Sequence, residues 1–197
     1  MTTSTIDDRT SLRAPLFLAV LVLLGFGLLY SLVGTALGRL LFPRQATGSL
    51  VVLDGQARDS ELVAQPFNDD RYFQARPSAA NYDPMAAAGS NQARSNPELR
   101  KRINAAIIAV AAREGVAPAD VPSELVTQSG GGMDPHLSPR AVQIQIARVA
   151  RARGLAPSVV AGMVQAHTEL PQFGVLGQPR INVLRLNLAL DALGQAE

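Results

Sequence analysis

The sequence predicts an α/β (α+β) chain, with one N-terminal transmembrane helix followed by a single small soluble domain of three to four helices and a few short strands. Three observations predict it. Residues Ala14 to Gly38 are 25 consecutive positions without a charge, several later segments repeat apolar residues at helical spacing between cap residues, and the stretches between them are rich in Gly, Pro, Asn and Asp. Of 197 residues 47% are hydrophobic and only 17% charged, below the roughly 25% usual in soluble domains, and the uncharged run accounts for much of the deficit.

The order along the chain is an N-terminal tail (1–13), the anchor helix (14–41) and the soluble domain (42–197). At about 1.5 Å per residue the uncharged run can cross a hydrocarbon core of roughly 30 Å. A cleaved signal peptide fits less well, because its apolar region is usually only about 7–15 residues long. Arg9 and Arg13 precede the run and Arg39, Arg44 and Arg58 follow it. Charge therefore leaves the side of the domain open.

After a linker at Pro43 to Gly48, Ser49 to Leu53 reads as a strand closed by the hairpin-type pair Asp54-Gly55. Residues 66–97 are dense in turn formers but interleave Phe67, Tyr72, Phe73 and Tyr82, which predicts an ordered, extended wrap instead of a linker. A helix then starts at Asn96 or Ser95 with Pro97 in its first turn. Its stripe is Leu99, Ile103, Ala106, Ile107 and Val110, and it stops at Gly115. Glu124 to Thr127 is expected as a short strand and Ser129-Gly-Gly-Gly-Met-Asp-Pro-His136 as a loop. Ser138-Pro139 opens a second helix with Val142, Ile146, Val149 and Ala150 on its stripe and Arg148, Arg151 and Arg153 off it. Pro157 opens a third, striped by Val160, Met163, Val164 and His167. Gly174 and Gly177 bracket a turn, and Asn182 caps a last segment, whose alternating Leu184, Leu186, Leu188 and Leu190 suit a strand but whose length favours a helix.

The chain has no Cys, which excludes disulfide, thiol-nucleophile and zinc-ribbon readings. A formal charge of +2, evenly scattered, gives no case for nucleic acid. Lys101 is the one lysine and lies in a helix, so no Gly-rich loop delivers an ammonium to phosphates, and Asp-Lys-Thr-Gly is missing. No catalytic residue is therefore assigned. Ser129 and His136 could suggest a hydrolase, but the strained Gly-x-Ser-x-Gly elbow is absent. Asp134 and His136 supply only two metal donors, and no metal is assigned. Ser129, Gly130, Gly131 and Gly132 could form a nest of backbone N–H groups for a phosphate, or a plain turn ahead of the Ser138 cap. His167 reads as a half-buried core imidazole ahead of a ligand or base, and the cluster of Arg148, Arg151 and Arg153 as a solvated face ahead of an anion site. Tyr72, Phe73 and Arg76 suit either a small apolar corner, with Arg76 paired to a carboxylate, or a partner surface. Gly34-x-x-x-Gly38 is a small-x-x-x-small face suited to a partner helix in the bilayer.

These residues together resemble a known family, the C subunit of the bacterial Kdp potassium-transporting P-type ATPase. The blocks are Gly48-Ser49-Leu50, Tyr72-Phe73-x-x-Arg76-Pro77-Ser78-Ala79, Asn81-Tyr82-Asp83-Pro84, Gly89-Ser90-Asn91 and Ser95-Asn96-Pro97. Further on come Val126-Thr127-x-Ser129-Gly130-x-Gly132-x-Asp134-Pro135-His136-x-Ser138-Pro139, Arg148-Val149-Ala150-x-Ala152-Arg153-Gly154, His167-Thr168 and Gly177-Gln178-Pro179-Arg180-Ile181-Asn182-Val183-Leu184-x-Leu186-Asn187. The departures are Asp59-Ser60 and Val63-Ala64-Gln65, which replace glycines after the first strand. The resemblance implies an accessory subunit of a high-affinity potassium uptake complex. Its partners would be a channel-like potassium-translocating subunit, a P-type ATP-hydrolysing subunit, a small single-span subunit and the lipid bilayer. It also implies a catalytic chaperone that raises the pump subunit's affinity for ATP, with ATP as a weak ligand and no tightly bound cofactor. The soluble domain is expected on the outer side of the bacterial cytoplasmic (inner) membrane. ATP is cytoplasmic, so the two implications conflict. The residues themselves favour stabilisation of the assembly, with a membrane-tethered nucleotide-binding regulator or, more remotely, a membrane-anchored serine hydrolase as alternatives.

Overall fold

The computed structural model describes residues 12–53 and 55–194, so most of the tail and Asp54 of the expected turn lie outside the described residues. The chain divides into two compact units, Met1–Leu50 and Val51–Glu197.

The first unit is one continuous helix, Arg13–Leu41, 29 residues long and apolar enough to cross a membrane. It begins as α1 (Arg13–Val22), widens into a π-helical stretch (Leu23–Leu29) and ends as α2 (Tyr30–Leu41). Gly25 and Gly27 lie inside the widened turn, where poor helix formers yield most readily. The Ser31 hydroxyl donates to the Gly27 carbonyl at 2.7 Å, giving that oxygen a second partner where no water would reach it in a bilayer. Pro43 opens a single turn, α3 (Pro43–Ala46), which packs back on α2; the Thr47 hydroxyl donates to the Pro43 carbonyl at 2.8 Å.

Next along the chain is a hairpin of β1 (Leu50–Leu53) and β2 (Gln56–Ser60). Asp59 and Ser60 sit within β2, and the turn that follows closes with the Val63 N–H donating to the Ser60 carbonyl at 3.1 Å, without the glycines usual in the resembling family. Two groups of helices build the core: α4 (Pro97–Glu114) with its buried stripe ending at Val110, and the run α5 (Pro139–Gln143), α6 (Ile146–Arg153), α7 (Pro157–Ala166) and α8 (Val183–Gly194). Asn96 caps α4 by accepting from the Glu98 N–H at 2.9 Å, and Gly115 ends it at φ +67°. A three-stranded antiparallel sheet in the order β3-β5-β4 joins β3 (His136–Leu137), β4 (Thr168–Glu169) and β5 (Arg180–Asn182). Its register sets His136 opposite Asn182 and Thr168 opposite Ile181.

Three expectations are corrected. Ser123–Leu125 is a 3₁₀ turn, not a strand, because Pro122 fixes its entry and both the N–H and the hydroxyl of Thr127 return to the Ser123 carbonyl. The second helix is broken between α5 and α6. There the Gln145 N–H turns to the Val142 carbonyl at 3.0 Å while its side-chain amide occupies the Ala141 carbonyl at 3.2 Å. Arg148 is no solvated residue: its side chain is 7% exposed and donates to Glu114, whose side chain is fully buried, at 2.9 Å. The ambiguous leucine segment is the helix α8.

The wrap over 66–96 is present and hydrogen-bonded. Phe73 is wholly buried, and its backbone is paired as though by a neighbouring strand: its N–H donates to Asn187 Oδ1 and its carbonyl accepts from Asn187 Nδ2, both at 2.9 Å. Gln145 does the same for Gln74, accepting its N–H at 2.9 Å and donating to its carbonyl at 3.2 Å. Arg148 donates to the carbonyls of Asp70 and Tyr72 at 2.7 and 3.0 Å. Buried side chains thus satisfy a backbone that has no sheet to join.

Candidate functional site

Two distant motif blocks meet at β3 and β5. Pairing of His136-Leu137 with Ile181-Asn182 brings Asp134-Pro135-His136 against Gly177-Gln178-Pro179-Arg180, and between them opens a cleft of about 790 Å³. One wall carries Glu124, Asp134, His136 and Ser138; the other is the β4–β5 loop. Asp134 accepts from the Arg76 guanidinium at 3.0 Å and from the His136 N–H at 3.1 Å, with the His136 imidazole 3.7 Å away. The neighbouring imidazole, that N–H and Arg76 hold the Asp134 carboxyl down at about 2, against the opposing effect of partial burial. Glu124 accepts from both the N–H and the hydroxyl of Ser138, and the same hydroxyl caps α5 by accepting from the Ala141 N–H at 3.3 Å. Glu124 has no cationic partner among the described residues.

The four residues of the expected phosphate nest lie outside this cleft's lining, and their geometry is set by packing. Ser129 is buried, with its N–H donating to the Pro77 carbonyl and its own carbonyl accepting from the Gly132 N–H, both at 3.3 Å. Gly132 has φ +72°, its carbonyl accepts from the Ser78 hydroxyl at 2.6 Å, and a Cβ there would lie 2.9 Å from the Ala88 carbonyl oxygen. A Cβ on Gly89 would meet the Gly130 carbonyl oxygen at 2.7 Å. Gly130 and Gly131 themselves face open space. Two of the four amides are therefore engaged within the chain. His136 lines the cleft and Ser129 does not, and no hydrogen bond joins them among the described residues.

The expected partner-facing residues separate. Phe73 is removed from that group, since its ring is 0% exposed within the chain's own core. Tyr72 is half-buried, its hydroxyl donating to Asp191 at 3.1 Å and its ring covered by the Arg153 guanidinium 5.0 Å from the centroid. Burial raises its pKa above the ordinary value, and the adjacent Asp191 carboxylate adds to the rise. Arg76 forms the corner with a carboxylate that the sequence offered as one reading. Gly34 is exposed with nothing within 4 Å, whereas Gly38 already has the Ala46 Cβ at 4.0 Å. His167 is half-buried, its Nδ1 2.9 Å from the Met163 carbonyl.

A match to a protein-family model decides what assembly these features belong to: residues 12–192 match the family described as K+-transporting ATPase, c chain. This chain belongs to the KdpC family. It is 62% identical over 190 residues, 96% of this chain and 91% of the relative, to a potassium-transporting ATPase KdpC subunit of Xanthomonas oryzae pv. oryzae (strain MAFF 311018). Proteins of the same description match in Shewanella putrefaciens at 49% over 194 residues (98% of this chain, 96% of the relative) and in Methylococcus capsulatus at 52% over 170 residues (85% and 90%). As a KdpC chain it is a subunit of the potassium-transporting ATPase complex, membrane-associated, with one candidate transmembrane helix near its N-terminus.

Sequence reasoning missed an exposed apolar feature of this KdpC chain outside the anchor helix. The loop between β4 and β5 presents Leu170, Phe173, Val175 and Leu176 at 78, 83, 79 and 58% exposure. Its backbone is closed on itself by reciprocal bonds between Gln172 and Leu176 at 2.8 and 2.9 Å, with Phe173 and Gly174 at φ +56° and +77°. A signal was available: Leu170 to Pro179 is ten residues without a charge, four of them large and apolar, bounded by proline and glycine.

Proposed function

We propose that this chain is a non-catalytic, membrane-anchored accessory subunit that holds the potassium-transporting complex together, with its soluble domain on the outer face of the inner membrane. The observation that carries the reading is how the polar residues in and around the motif blocks are used. Arg76, Asp134, Ser138, Gln145 and Arg148 are each engaged in hydrogen bonds or ion pairs that fix this chain's own backbone and loops, which is the behaviour of a scaffold. One crossing helix cannot enclose a hydrated ion path, so conduction belongs to the channel-like subunit and ATP hydrolysis to the P-type subunit, with the small single-span subunit as a third neighbour. Exposed Gly34, with open space over its Cα, suits close approach of a partner helix in the bilayer.

Direct help with ATP binding is the second reading. It is favoured only by the free faces of Gly130 and Gly131, and it needs the domain on the cytoplasmic side. Sidedness therefore separates the two. In the natural Cys-free background, Ala119→Cys in the exposed turn after α4 should react with a membrane-impermeant maleimide in intact cells. Protection until the cells are opened would place the domain beside cytoplasmic ATP, and heat on titrating the purified chain with millimolar ATP would then support the regulator.

A further inference from the structure

The β4–β5 loop and the cleft beneath it form one surface with two chemistries. The loop is apolar, uncharged and already ordered by its own backbone, so ordering costs little when it is covered. Single exposed apolar side chains need no explanation, but four on seven residues, with Phe173 and Val175 each about four-fifths exposed, make a contiguous patch. Facing it across the cleft is Glu124, half-buried and without a cationic partner among the described residues, beside the anionic Asp134. Arg180, the cation in the lining, is paired with Glu169 at 2.9 Å.

We infer that this surface docks a protein subunit of the complex, which offers an apolar pocket for Phe173 and Val175 and, beside it, a lysine or arginine that enters the cleft to reach Glu124. A protein is favoured over the lipid surface because the ten residues from Leu170 to Pro179 carry no lysine, arginine, tryptophan or tyrosine, the residues that hold a segment at an anionic headgroup layer. It is favoured over the same patch of a second copy because the cleft asks for an unpaired cation, whereas Arg180, the exposed cation beside this patch, is already neutralised by Glu169. Partner contact of this kind places apolar anchors at the centre and a charge at the edge that sets orientation.

The inference rests on the accessory-subunit reading, and the test keeps their failures apart. The full-length chain, anchor included, is expressed with its complex, carrying a photoreactive benzoylphenylalanine at Phe173, and irradiated in native membranes. The expected adduct joins this chain to a protein subunit of the complex. In parallel, the double variant Phe173→Asp, Val175→Asp should lower recovery of the chain with the complex at least tenfold. Glu124→Gln, which keeps an oxygen acceptor for Ser138, should lower it severalfold and flatten its salt dependence. Unchanged thermal unfolding of both variants in detergent shows that folding is intact, and a variant that unfolds is replaced by the crosslink as the deciding measurement. Adducts solely with lipid or with a second copy, or full recovery of both variants, overturn the docking surface while leaving the accessory role standing. Failure of the unaltered chain to purify with the complex overturns both.

Discussion

The stretch from Pro66 to Pro77 and the loop from Leu170 to Leu176 both lack regular secondary structure, yet they are held by opposite means. The first is gripped by side chains from elsewhere, Asn187, Gln145 and Arg148, and sinks Phe73 into the core. The second is closed by its own backbone and turns every large apolar side chain outward. The difference teaches that an irregular segment can be scaffold or presentation, and that the location of its hydrogen-bond partners tells which.

The comparison breaks most visibly in the first stretch. Arg148→Met leaves the buried Glu114 carboxylate with Arg113 as its remaining partner and strips the Asp70 and Tyr72 carbonyls of their donor, and should cost about 3–5 kcal/mol in urea unfolding of the detergent-solubilised chain. Phe73→Ala should cost a similar ~3–5 kcal/mol through the cavity it leaves. Next comes the glycine loop that abuts residues 78–89. Gly132→Ala puts a Cβ against the Ala88 carbonyl at positive φ and should cost about 1–3 kcal/mol, while Gly131→Ala, facing open space, should stay within about 0.5 kcal/mol. Equal effects at the two positions would refute the packing account of that loop.

A pH series sharpens the comparison at the cleft. Asp134 is held at about 2 in the folded chain, below the ordinary 3.8, so its ionised form stabilises the fold. That contribution is complete above the ordinary value and disappears as pH falls from there through the folded value. The urea midpoint of the natural chain should therefore drop through this window, and the Asp134→Asn variant should show a shallower acid limb. The smallest effect belongs to the presented loop: Phe173→Ser should shift stability by no more than about 0.5 kcal/mol, because a side chain 83% exposed has little burial to lose.

The helices were legible in the sequence because their signals are local. Asn96-Pro97, Ser138-Pro139 and the left-handed glycines Gly115 and Gly154 mark ends that the structure keeps. The short strands β3, β4 and β5 were not, since two or three residues carry no period and the β3–β5 pairing joins positions more than forty apart in sequence. Arg148 was misjudged for the same reason: helical spacing put it off the apolar stripe, and nothing nearby in sequence announces Glu114 as its partner. Gln145 interrupts a predicted helix because its amide serves a segment seventy residues earlier. The family blocks pointed to Asp134, His136 and Arg180 of the cleft, whereas the uncharged run of the loop opposite does not by itself tell that its apolar side chains face outward.

The central claim is that this chain acts by being assembled and performs no chemistry of its own. It is tested most directly by purifying the full-length chain, and the complex with and without it, and following phosphate release from ATP together with recovery of the intact assembly. The account predicts no release by the chain alone and a complex that dissociates in its absence. Turnover of ATP by the isolated chain, or a stable and fully active complex lacking it, would contradict the account.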